Sequence, residues 1–186
     1  MNTIKLDNGL TIVTDHIDYV KSLSIGLFIK AGSAYETKNN NGISHLTEHV
    51  VCRAFIDFAS CKGLQCNAVT TKEYICFFVK SVYTDIMDMI ACFDRIFANS
   101  FDSVRFELEK KIVLREIDQF YQDPNNRLDE VLFQNHLKGA SYAYPISGTR
   151  KVVETLKLDD VVRLYQRVFV PQNMVISIAG KEAETC

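Results

Sequence analysis

Hydrophobic and polar positions follow two different periods along this chain, and the switches between them mark its elements. Leu23, Ile25 and Leu27 alternate with Ser and Gly, a period of two that predicts a half-buried strand. Ahead of them, Thr3–Leu6 and Leu10–Asp15 flank Asp7-Asn8-Gly9, a turn sequence that predicts a hairpin. Leu64–Thr70 and Tyr74–Val79 predict two more strands joined by Thr71-Lys72-Glu73. The second is dense in aromatic and β-branched residues, which suit a pleated surface. MVISIA, Met174–Ala179, predicts a closing buried strand.

Elsewhere the apolar residues recur every three or four positions. Ile43, Leu46, Val50, Val51 and Phe55 predict a helix from Ile43 to about Phe58. The same spacing predicts helices over Asp85–Ala98, Asp102–Tyr121, Arg127–Leu137 and Leu158–Phe169. Asp123-Pro124 breaks the third from the fourth, and Pro171 stops the last. Polar loops are expected at Ala31–Gly42 and around Gly139, Pro145 and Gly148. Strands before, between and after helices predict an α+β fold: a mainly antiparallel sheet with helices packed on one face, in a single domain over residues 1–186.

Composition narrows the function classes. A net charge of −2, with Lys and Arg scattered, gives no electrostatic case for nucleic acid or an anionic membrane surface. The longest apolar runs are far too short to span a bilayer. The start, MNTIKLDNGLTIVTDH, lacks the charged head and apolar run of a signal peptide. None of the six cysteines forms a CxxC pair, so no thiolate zinc site is expected. They are expected as reduced thiols in a cytoplasmic protein.

The chemistry is concentrated in GISHLTEHVV, Gly42–Val51. On a helix, His45 and His49 stack one turn apart with Glu48 beside them. Two imidazoles at that spacing can hold one zinc ion, and a catalytic zinc needs a third protein ligand. Glu48 is then left free as the base that takes a proton from water. The order H-x-x-E-H is the inverted zinc-peptidase motif. With only three fixed positions, it also fits a plain exposed helix face carrying two histidines and a salt-bridging glutamate. The third ligand should be a carboxylate on a facing helix, and FELEKKIVLREIDQFYQDP offers Glu109 and Glu116, seven apart and so on one face.

Several further segments occur in a telling order: LDNGLTIV, AGSAYET, HLTEH, NAVTTKEYICFFV, EKKIVLREIDQFYQDP, YPISGT and PQNMVISIAG. Together they resemble the motif-bearing half of the pitrilysin-type (M16) zinc metallopeptidases, over nearly the whole chain. The resemblance implies Zn²⁺ held by His45, His49 and Glu116, with Glu48 as general base. It makes Glu109 a supporting carboxylate that orients a ligand, and Asn67 a substrate-binding residue. It also implies that the 64–79 hairpin binds extended peptide by strand addition.

Two departures from the family pattern stand out. The interval from His49 to Glu116 is shorter than usual, because VVCRAFIDFASCKGLQCN replaces a longer helix–loop–helix. The chain also carries one half, where the family closes two over a chamber. The expectation is therefore a zinc metallo-endopeptidase subunit acting on peptides, completed by a second M16-like half or by homo- or hetero-oligomerisation. The competing expectation is a non-catalytic zinc-binding subunit that scaffolds a partner.

Overall fold

The computed structural model describes residues 1–98, 100–181 and 183. The chain opens with a hairpin, β1 (Asn2–Lys5) against β2 (Thr11–His16). The Asp7-Asn8-Gly9 turn closes it: Gly9 takes φ +91°, and Leu6 N donates to Leu10 O at 2.8 Å. β3 (Ser22–Ile29) comes next, then α1 (Ile43–Cys61), β4 (Gln65–Thr70) and β5 (Ile75–Val82). The rest of the chain forms α2 (Ile86–Phe97), α3 (Ser103–Gln122), α4 (Pro124–His136), α5 (Arg150–Thr155), α6 (Leu158–Val168) and β6 (Met174–Gly180).

The six strands form one sheet in the order β1-β2-β6-β3-β5-β4, antiparallel except where β6 runs parallel to β2. Alternation sorts its two faces. Leu23, Ile25, Leu27 and Ile29 of β3 join Ile75, Phe77 and Val79 of β5 in the core. The helices cover that face, giving the α+β architecture the periodicities predict. Phe55 of α1 is fully buried, edge-on to Phe77 of the sheet and against Phe93 of α2. α1 is thereby fixed across the sheet, and β4 is left as a free edge.

Several boundaries differ from expectation for local reasons. α4 starts at Pro124 rather than Arg127, because Asp123 caps it by accepting from Asn125 N at 2.8 Å and Pro124 fits the first helical position. β5 runs on to Val82 because β3 offers partners as far as Ser22. α5, at six residues, adds a helix that the apolar periodicity does not predict. Cys52, Cys61, Cys66, Cys76 and Cys92 are free thiols, while Cys186 lies outside the described residues. Among the described residues, no helix is long and apolar enough to cross a membrane.

Candidate metal centre and its cleft

α1 begins behind Gly42, whose φ of +95° and tight surroundings require glycine: a Cβ there would lie 2.6 Å from Ser147 O. His45 and His49 sit on one face of the helix, with ring centroids 4.7 Å apart and planes at 80°. α3 packs against that face. It brings Glu116 Oε2 to 3.3 Å from His49 Nε2 and 3.8 Å from His45 Nε2. Three ligand atoms, one from each of these residues, all lie within 4.8 Å of one another.

That arrangement fits a metal. Two ligands about 2.0–2.1 Å from a tetrahedral zinc stand roughly 3.4 Å apart, so the trio needs only small adjustments to close on one ion. Glu109, two turns before Glu116 and buried, places Oε2 3.4 Å from His49 Nδ1. A carboxylate behind a ligating imidazole fixes its tautomer and ring orientation. Cys52 is no competing ligand: burial pushes its thiol up to about 12, and its Sγ turns back to donate to His49 O.

These contacts set the charges. Burial, then the neighbouring His49, drives His45 down to about 4, so it is neutral and has a lone pair to offer. Burial opposes charge on His49 as well, but the bond to Glu116 and the surrounding carboxylates outweigh it and lift its pKa above the usual value. Glu116 is lowered in turn, first by its bond to His49. Each shift favours the charged form of its own group, so His49 and Glu116 attract one another across the site.

Glu48 is buried beside the trio and is not part of it. Its Oε2 accepts from Thr70 Oγ1 at 2.7 Å. Burial raises its pKa, and the Thr70 bond pulls the other way. Residue-level reading of the sequence missed Thr70, although a signal was present. In β4, Cys66, Ala68 and Thr70 face inward while Gln65, Asn67 and Val69 face out. A hydroxyl at the most buried inward position points to a buried polar partner. Asn67 lies at the exposed rim, where its Oδ1 accepts from Ala68 N at 2.9 Å.

These residues line an open cleft of about 560 Å³ between α1, α3 and the edge strand β4. Ile146 and Ser147 close one side. Their loop is held down where Asn41 Nδ2 donates to Pro145 O (2.9 Å), Ser141 Oγ to Ala34 O (2.6 Å) and Lys72 Nζ to Tyr144 O. A smaller pocket of about 180 Å³ adjoins across Phe120 and Ile146, but it contains none of the metal-site residues.

Known proteins resemble the chain along most of its length. The family model described as Insulinase (Peptidase family M16) matches residues 11–150. The chain is 30% identical to the uncharacterized zinc protease YmxG of Bacillus subtilis, covering 96% of this chain and 46% of that one. A protease of known structure from Helicobacter pylori superposes with a TM-score of 0.90 at 19% identity, covering 96% and 46%. A chain of complex III2 from Candida albicans gives 0.80 at 26% identity, covering 97% and 43%. The chain thus spans about half the length of the curated relatives it matches.

Proposed function

This chain belongs to the insulinase family of M16 peptidases, and from that premise we propose that it is a zinc-dependent metallo-endopeptidase subunit that hydrolyses peptide bonds in short or extended peptides. A second M16-like half completes its cleft. The observation that carries this reading is the convergence of His45, His49 and Glu116 with a buried carboxylate, Glu48, beside them.

Zinc held by His45, His49 and Glu116 would supply Lewis-acid activation of water and of the scissile carbonyl. The chain's own residues do the rest. Glu109 keeps the His49 ring turned towards the site. Thr70 occupies Oε2 of Glu48 and fixes the carboxylate, leaving Oε1 to take the proton of the attacking water and return it to the leaving amine. The free edge of β4 offers backbone donors and acceptors to an extended peptide, and Asn67 at its rim is placed to contact one. The open cleft supports a completing second half, because a site without a closing wall stays wet and loses positioning and electrostatic stabilisation.

The test is zinc content and cleavage of a quenched-peptide panel, on the chain alone and after native co-purification. Stoichiometric zinc, chelator-sensitive cleavage and a loss of about 10²–10⁴-fold in Glu48→Gln with zinc retained support the peptidase. The likeness to a complex III chain favours a second reading, a non-catalytic zinc-binding interaction subunit. Zinc without turnover in both preparations would select it. Full cleavage by Glu48→Gln would remove Glu48 from its assigned role.

A further inference from the structure

Six residues before Gly42 at the head of α1, Glu36 is 7% exposed, and its carboxylate is fully engaged. Oε2 accepts from Gly42 N at 2.7 Å and from Asn41 Nδ2 at 2.8 Å. Oε1 accepts from Ser44 N at 2.8 Å. Gly42 itself has no side chain to cap the helix with. The first amides of a helix have no partner inside it, and their end of the helix attracts negative charge. Glu36 meets both needs from outside the helix.

The anchored turn leads straight into the metal site. His45 comes directly after Ser44, so the turn held by Glu36 is the one that carries the first imidazole. Asn41 extends the link, because the same Nδ2 that bonds Glu36 also donates to Pro145 O. The next two residues, Ile146 and Ser147, line the cleft.

The geometry points to Glu36 as a positioning residue: its carboxylate fixes the first turn of α1, and with it the direction in which His45 presents Nε2, and through Asn41 ties that turn to the cleft wall. This inference rests on the zinc reading of the site. Glu36→Gln is the informative change. Both oxygens accept from donors, so an amide must set donor against donor whichever way it turns.

The experiment is a competitive titration of the full chain with zinc against a chromophoric chelator, alongside thermal melting. Asp123→Ala serves as control, since Asp123 caps α4 away from the metal. The expected result is zinc binding roughly 10–100-fold weaker in Glu36→Gln, with Asp123→Ala melting earlier and binding zinc within about twofold of wild type. An unchanged affinity in Glu36→Gln overturns the positioning role alone. Equal weakening in both variants also overturns it, because the loss is then one of general stability. A wild-type chain that takes up no zinc overturns the inference together with the reading beneath it. Should Glu36→Gln not fold, Glu36→Asp, which keeps the charge and loses reach, is held to the same criterion.

Discussion

His49 Nε2 and Glu116 Oε2 stand 3.3 Å apart across the gap between α1 and α3, although they lie 67 positions apart in the chain. Neither helix owns the site. α1 is held from behind by Phe55 and Phe77, and α3 by Phe106, Val113 and Ile117, all buried. The convergence of His45, His49 and Glu116 is a by-product of how those two apolar faces seat.

Glu116→Ala should therefore weaken zinc binding severely without unfolding the chain. The side chain is 42% exposed, so its loss leaves no buried cavity. Removing a direct ligand should weaken zinc by more than the roughly 10–100-fold typical of a supporting residue. Zinc titration and circular dichroism check this together. A variant that retains wild-type affinity means that Glu116 is not the third ligand.

Glu109→Gln tests the supporting carboxylate. The amide preserves shape but weakens the acceptor facing His49 Nδ1. Zinc should bind roughly 10–100-fold more weakly, with stoichiometry kept at saturation. Affinity unchanged within error would reduce Glu109 to a buried structural charge.

Much of this was legible in the sequence, because local signals coincide with local structure. The Asp7-Asn8-Gly9 turn, the alternation of Leu23, Ile25 and Leu27, and the one-turn spacing of His45 and His49 each depend on a few neighbouring residues. What escaped depends on distant ones. β6 was recognisable as a strand from MVISIA, but its seat between β2 and β3 is set by pairing across more than 140 residues. α5 is too short for its periodicity to stand out. The Thr70–Glu48 bond and the place of Ile146 in the cleft exist only once β4 and the 141–148 loop are docked.

Phe55→Ala measures how far the site leans on the core behind it. Phe55 is fully buried against Phe77 and Phe93. Its truncation should cost about 3–5 kcal/mol, from lost transfer energy and the cavity left behind. Denaturant unfolding of the zinc-free chain reads this directly. A cost below about 1 kcal/mol would show that α1 is not anchored at this position.

Thr70→Val isolates the tuning of Glu48. Valine keeps the volume and removes the hydroxyl that donates to Oε2. That bond favours the ionised carboxylate and lowers its pKa, against the burial that raises it. Losing it leaves burial less opposed, so the Glu48 pKa rises. The base must be ionised to accept a proton, so activity falls away on the acid side as pH drops through that pKa. The acid limb of kcat/KM should therefore move to higher pH in Thr70→Val, while the plateau at high pH drops less than in Glu48→Gln. Peptide cleavage across pH, on the chain together with its partner half, reads the shift. An acid limb that stays in place, or moves to lower pH, would show that the Thr70 hydroxyl does not set the ionisation of Glu48.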